Sequence, residues 1–63
     1  MRQPGQVEVH VKHYNGRWHV WVRVPERWEP RGSFANRERA LAVARCEAGR
    51  WKEGGRQAVV AER

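Results

Sequence analysis

Residues 7–24 read VEVHVKHYNGRWHVWVRV, and this stretch decides the fold. On both sides of Asn15-Gly16, apolar and polar residues alternate with a period of two, which is typical of β-strands with one covered face. Asn-Gly is a preferred pair for a two-residue type I′ turn, because both central residues of that turn need a positive φ. The stretch therefore predicts a β-hairpin that reverses direction at Asn15-Gly16.

The turn also predicts the register of the two strands. Counting outward from it pairs valine with valine on one face: Val11–Val20, Val9–Val22 and Val7–Val24. The same register pairs polar and aromatic residues on the other face: Tyr14–Arg17, Lys12–His19, His10–Trp21 and Glu8–Arg23. A slip by one residue would move every side chain to the opposite face, so turn chemistry and hydrophobic pattern favour the same register independently.

A short third strand is predicted after the hairpin. Pro25 ends the second strand, because proline has no N–H to donate to a neighbouring strand. Residues 26–31 then form a turn and a strand that runs to Phe34, and Pro30 restricts this strand to a sheet edge. Strict alternation would place Trp28 with Phe34 on one face and Arg31 with Ser33 on the other.

A helix follows the strands. Asn36 is a suitable N-cap, and Gly54-Gly55 is a suitable helix end. Between them an apolar stripe recurs at helical spacing: Ala40, Leu41, Ala44, Ala48 and Trp51. A final short strand is predicted at residues 57–61.

These elements predict an α+β fold of the order β-β-β-α(-β). Three or four antiparallel strands would form the sheet, and the apolar stripe of the helix would cover the valine face. The chain of 63 residues is long enough for one domain, residues 1–63, with residues 1–5 as a flexible lead-in.

The small size argues against an enzyme. A domain of this length buries only about 60% of the surface of its unfolded chain, so we expect the large aromatic residues to fill the core: Trp18, Trp28, Phe34 and Trp51. Such a core leaves no space for a cofactor cavity of about 300–1,000 Å³. The sequence also offers no nucleophile with a neighbouring base and no phosphate-binding glycine loop. We therefore predict a binding protein with no cofactor and no catalytic residues.

Single histidines and one cysteine do not predict a metal site or a disulfide. His10 and His19 lie diagonally on one face, but no cysteine or second carboxylate joins them at ligand spacing. Cys46 is the only cysteine, and inside a helix it is expected to be a small buried hydrophobic residue. No apolar run reaches the length of a membrane span and no signal-peptide core is present, which predicts a cytoplasmic protein without membrane contact.

The charge of the chain points to a polyanionic partner. Thirteen Lys and Arg residues against seven Asp and Glu give a net charge of +6, and the pI is about 11.1. Such an excess favours fast, salt-sensitive association with nucleic acid. Solubility alone, or arginine-rich codon usage, is the alternative reading of the same composition.

The polar sheet face opposite the helix carries the residues expected to contact DNA or RNA, with DNA preferred. Cations there can pair with phosphates or guanine, and aromatic rings can stack on bases. The predicted contact residues are Lys12, Tyr14, Arg17, His19, Trp21, Arg23 and Arg31. Two alternatives remain open, namely a protein-interaction or homodimer face around Trp21 and a purely solvated face stabilised by cross-strand pairs.

Two local motifs resemble a DNA-binding family. Gly16-Arg17-Trp18 lies at the hairpin turn, and residues 32–40 read GSFANRERA at the start of the helix. Both stretches resemble the three-stranded-sheet-plus-helix domains of plant ethylene-responsive factors and of the arm-binding phage integrase family, which show Gly-x-aromatic and Gly-Thr-Phe-x-Thr-x-Glu-x-Ala. The resemblance implies that Trp18 is a core residue and that Trp21 and Arg23 face DNA.

A second resemblance implies a different partner. Val24-Pro25-Glu26 after the second strand, followed by the capped helix start at Asn36, resembles the HicB-like antitoxin domain, whose order of elements is β-β-β-α-β. This resemblance implies a protein-interaction module, and it accommodates the final strand.

Overall fold

A computed structural model describes residues 6–24 and 27–62. The elements in chain order are β1 (Val7–Tyr14), β2 (Arg17–Val24), β3 (Arg27–Phe34), α1 (Arg37–Glu53) and β4 (Ala58–Glu62). The strands form one sheet in the order β3-β2-β1-β4, and α1 packs on one face of it. The predicted α+β class and order of elements are confirmed. The predicted lead-in at residues 1–5 and the strand end at Pro25 lie outside the described residues.

The hairpin has the predicted turn and register. Asn15 and Gly16 have φ values of 52° and 72°, as a type I′ turn requires. The observed antiparallel pairing of β1 with β2 runs from Glu8–Arg23 to Tyr14–Arg17 and agrees with the predicted pairs over that range. Two local signals specified this register together, because the turn fixed the pairing and the valine alternation fixed the faces.

β3 is interrupted by a β-bulge. It pairs antiparallel with β2 at the edge of the sheet, which is the position expected for a strand containing Pro30. Val20 lies opposite Gly32, whereas Trp21 lies opposite Pro30, so Arg31 is the extra residue. A bulge of this kind changes which face the preceding side chains occupy.

The bulge overturns the predicted face of Trp28. Phe34 lies opposite Trp18 on the helix side, whereas Trp28 lies opposite Arg23 on the other side. The prediction that Trp28 shares a face with Phe34 and fills the core was therefore wrong, and the side chain of Trp28 is half exposed. Strict alternation failed because the inserted Arg31 shifts the register by one residue.

β4 joins the sheet in a direction that differs from the expected one. It pairs parallel with β1, from Val7–Ala58 to Val11–Glu62, so the complete sheet is mixed rather than antiparallel. The reason is the crossover: α1 carries the chain back along the sheet before β4 begins, and a helical connection of this kind joins parallel strands, here β3 and β4.

The core consists of short side chains. Its buried members are valines of the hairpin and alanines of α1 and β4: Val7, Val9, Val11, Val20, Val22, Ala40, Ala44, Ala48 and Ala58. Trp18, Phe34 and Trp51 pack against this cluster but are only partly buried. The aromatic residues on the helix side therefore surround the core instead of filling it.

The ends of α1 follow the sequence signals. The Arg39 N–H donates a hydrogen bond of 2.8 Å to Asn36 Oδ1, which confirms the N-cap. Gly54 ends the helix, and its N–H lies 3.1 Å from the Trp51 carbonyl oxygen.

Cys46 of α1 is exposed, so the expectation that it is buried was wrong. It lies off the apolar stripe of the helix. Among the described residues, no helix combines the length and the apolar character that crossing a membrane requires.

Candidate nucleic-acid interface

The sheet presents one face that α1 does not cover, which we call the open face. Strand pairing places these side chains on it: Glu8, His10, Lys12 and Tyr14 of β1, Arg17, His19, Trp21 and Arg23 of β2, Trp28, Pro30 and Ser33 of β3, and Val59 and Ala61 of β4. Five valines beneath α1 are fully buried, so the helix packs on the predicted side: Val7, Val9, Val11, Val20 and Val22. The open face is therefore the surface for which nucleic-acid contacts were predicted.

All of the predicted contact residues except Arg31 lie on the open face. Arg31 Nε lies 2.9 Å from Glu47 Oε1 of α1, and its Nη2 lies 2.9 Å from Glu29 Oε1. The hydrogen bond to Glu47 raises the pKa of the Arg31 guanidinium further above its ordinary value. Because the bulge turns Arg31 towards the helix, its placement with the open-face residues was wrong.

Trp28 belongs to the open face although the sequence analysis assigned it to the core. Its ring lies 4.8 Å from the His10 ring at an angle of 59°, and the Arg23 guanidinium lies 5.8 Å from its centroid. Gly32 was the signal that could have revealed this position, since glycine inside a strand often marks a bulge. Its φ of 142° is one that side-chain-bearing residues rarely adopt.

The electrostatics of the open face are predominantly cationic. Lys12, Arg17 and Arg23 lie on it, and within residues 6–24 and 27–62 Glu8 is its only carboxylate. Glu8 Oε1 lies 2.9 Å from His10 Nε2 and 3.8 Å from Arg23 Nη1. The other described carboxylates lie on α1 or on the helix side of the sheet.

Hydrogen bonds orient polar groups at the hairpin end of the open face. Arg17 donates from Nε to Ser33 Oγ at 3.1 Å and from Nη2 to the Ser33 carbonyl at 3.2 Å. His19 Nε2 donates to the Tyr14 carbonyl at 3.2 Å, and the two rings are tilted by 54°. These contacts hold the Arg17 guanidinium over the sheet, where it retains N–H groups for an external acceptor.

Two shallow hollows lie on either side of Trp21. The first has a volume of about 370 Å³ and is lined by His10, Lys12, Trp21 and Trp28. The second has a volume of about 440 Å³ and is lined by Lys12, Tyr14, His19 and Trp21. Trp21 and Lys12 line both hollows, so one aromatic ring and one cation are shared by the two hollows.

In the part of the chain that the structure describes, no group of three or more His, Cys, Asp or Glu side chains is placed to hold a metal ion.

No protein-family model, curated protein or solved structure matches this chain. The two family resemblances therefore stay predictions, and the chemistry of the open face is the basis for a functional assignment.

Proposed function

We propose that this protein is a non-enzymatic nucleic-acid-binding domain, with DNA preferred over RNA, and that it binds through the open face. One observation carries the proposal: three cations and three exposed aromatic residues share this face with a single described carboxylate. Tyr14, Trp21 and Trp28 are 61%, 37% and 50% exposed, respectively. Large exposed aromatic side chains on a soluble domain favour a contact that covers them.

The residues of the open face have complementary roles in this proposal. Lys12, Arg17 and Arg23 pair with phosphates or base edges, while Trp21, Trp28 and Tyr14 contact bases or sugars. Arg31 has no direct contact, because its guanidinium is engaged by Glu29 and Glu47. The resemblance to ethylene-responsive and integrase arm-binding domains supports the same assignment for Trp21 and Arg23.

A salt titration tests the electrostatic part of the proposal. If the three cations each neutralise about one phosphate, the logarithm of the binding constant should fall with the logarithm of salt concentration with a slope of about −2 to −3. The measurement is fluorescence anisotropy of a labelled oligonucleotide from low to physiological ionic strength. A binding constant that does not respond to salt would contradict the proposal.

Charge-removing variants locate the contact surface. Replacing Lys12, Arg17 or Arg23 with Ala should reduce the magnitude of the salt slope by about 1 in each case. Arg45→Ala is the matched control, since Arg45 is an exposed cation of α1 on the other side of the molecule. An Arg45→Ala effect as large as those of the open-face variants would place the contact elsewhere.

The edge strand β4 favours a second candidate, a protein-interaction module that forms a homodimer. Among the described strands, β4 has a neighbour on one side only, and its Val59 and Val60 are 44% and 39% exposed. An edge strand of this kind can pair with a strand of another chain. The β-β-β-α-β order also agrees with what the HicB-like resemblance implies.

Mass measurement separates the two candidates. A homodimer should appear in light scattering as a concentration-dependent increase from 7.4 kDa, and an apolar interface should respond little to salt. A monomer at all concentrations would remove this second candidate. The nucleic-acid proposal would be unaffected by that result.

A further inference from the structure

The arrangement around Trp21 points to a more specific ligand, and this inference rests on the proposed function. We infer that the open face binds single-stranded nucleic acid, with consecutive bases seated in the two hollows on either side of Trp21 and the intervening phosphate at Lys12. The open face would thus select unpaired bases over an intact duplex.

The sheet is wider than the groove of a DNA duplex. Neighbouring strands are about 4.8 Å apart, so the outer strands of four are about 14 Å apart, whereas the major groove of B-DNA is about 12 Å wide and admits a two-stranded ribbon. β4 makes the sheet four strands wide at His10, which lines the first hollow. The complete open face is therefore too broad to enter the groove flat.

The two hollows are suited to flat aromatic groups such as unpaired bases. Both are bounded by the rings of Trp21 and of one further aromatic residue, Trp28 in the first hollow and Tyr14 in the second. Aromatic rings stack on the flat face of a base, which is accessible in a single strand and covered by neighbours in a duplex. Stacking of this kind tolerates any base, because every base has a π-face.

Contacts within the protein partly preorganise the first hollow. The His10 side chain is only 12% exposed and is held by Glu8 at 2.9 Å. Its ring contacts Trp28, and Arg23 lies over the same indole. Trp28 is thus oriented before a ligand arrives, which reduces the entropy lost when a base stacks there.

Lys12 connects the two hollows electrostatically. It is exposed and lines both of them, so its ammonium group can reach a phosphate that lies between two bases. Lysine acts as a compact point charge with a flexible stem and needs no fixed phosphate geometry. Proteins that bind single strands of any sequence share these two features: cations that contact the backbone and aromatic rings that stack on the bases.

The test compares four labelled probes of one sequence, about 12 nucleotides long: single-stranded DNA, single-stranded RNA and the two corresponding duplexes. We expect single strands to bind at least tenfold more tightly than duplexes at the same salt concentration. The DNA and RNA arms show which backbone is preferred. Trp21→Ala should weaken single-strand binding by about 5- to 150-fold, the effect of losing one stacked base.

Matched variants separate stacking from folding. Trp21→Phe keeps an aromatic ring and should retain most of the affinity, whereas Lys12→Gln should weaken binding and lower the salt slope by about 1. Circular dichroism of each variant checks the fold. If Trp21→Ala does not fold, the comparison of Trp21→Phe and Lys12→Gln with the wild type on the four probes still decides the inference.

The outcomes distinguish this inference from the function on which it rests. Duplex binding equal to or tighter than single-strand binding would overturn the inference and leave nucleic-acid binding intact. Single-strand binding that is unchanged in Trp21→Ala would also overturn it. No binding of any probe at low salt would contradict both.

Discussion

The four tryptophans divide between the two faces of the sheet, and their positions determine what each contributes. Trp21 and Trp28 lie on the open face. Trp18 and Trp51 pack against the buried cluster on the helix side, and the Trp18 ring is stacked on His13 at 4.4 Å. The first pair is available to a ligand, whereas the second pair adds apolar contact area at the margin of a core made of valine and alanine.

Truncation of one tryptophan from each pair should therefore have unequal effects on stability. Trp18→Ala should lower the free energy of unfolding by about 2–4 kcal/mol, because it removes a large side chain that packs on the core. Trp28→Ala should lower it by about 1 kcal/mol or less, the contribution of exposed ring and cation contacts. Urea unfolding followed by circular dichroism measures both, and a larger loss for Trp28→Ala would contradict the face assignment.

Substitution of two glycines that have open space around them shows how backbone conformation alone affects stability. A Cβ at Gly16 or at Gly49 would meet no atom within 4 Å, but Gly16 has a φ of 72° and Gly49 lies inside α1. Gly16→Ala should destabilise the protein by about 1–2 kcal/mol, the cost of a left-handed conformation. Gly49→Ala should stabilise it by about 1 kcal/mol. Thermal unfolding of both variants checks the opposite signs.

At the scale of elements, a strand's register and faces could be predicted where the interactions that determine them lie close together in the sequence. The hairpin register could be predicted because turn and alternation lie within one stretch of the chain. The sides of Trp28 and Arg31 could not, because they depend on how β3 pairs with β2 around an inserted residue. The direction of β4 depends on the crossover of α1 and on a pairing partner at the other end of the sequence.

The candidate site was predictable to a similar degree. The contact residues of β1 and β2 follow from the hairpin, so the sequence located Trp21 and most of the cations. The contribution of Trp28 to the first hollow required the bulge, and Gly32 alone does not specify on which side of it the register shifts. The hollows themselves involve two or three strands, which alternation within a single strand does not describe.

Ion pairs connect the elements that follow the hairpin, and they make stability depend on pH. Arg31 joins β3 to α1 through Glu47 and also binds Glu29 of β3. Arg37 of α1 binds Glu62 of β4. The hydrogen bond from Arg31 lowers the pKa of Glu29, and that from Arg37 lowers the pKa of Glu62, in each case from an ordinary value of 4.5.

The sign of the pH effect follows from these lowered pKa values. Each carboxylate stabilises the folded protein fully above the unfolded-state pKa, and this contribution is lost as pH falls through the lower folded-state pKa. The thermal midpoint should therefore decrease below about pH 4.5. A Glu29→Gln, Glu62→Gln double variant should show a smaller decrease. Parallel curves for variant and wild type would exclude these two groups as the cause.

At the scale of the whole molecule, β4 completes the domain. It gives β1 a second neighbour, and its Ala58 is buried with the core valines. Deleting residues 57–63 should abolish cooperative unfolding, because a domain of this size has little stability to lose. The control Val59→Thr, Val60→Thr keeps the backbone of β4 and changes only partly exposed side chains. Heat unfolding followed by circular dichroism distinguishes the truncated chain from this control variant. A cooperative transition in the truncated chain would contradict this role of β4.

The parallel pairing of β1 with β4 also has a consequence for synthesis on the ribosome. β1 emerges early, but its second neighbour is made only after β2, β3 and α1. During that interval the nascent hairpin has an unpaired valine-rich strand edge, which is a template for pairing with other chains. The interval between the emergence of the hairpin and the pairing of β4 with β1 therefore sets how long this strand edge is vulnerable to aggregation.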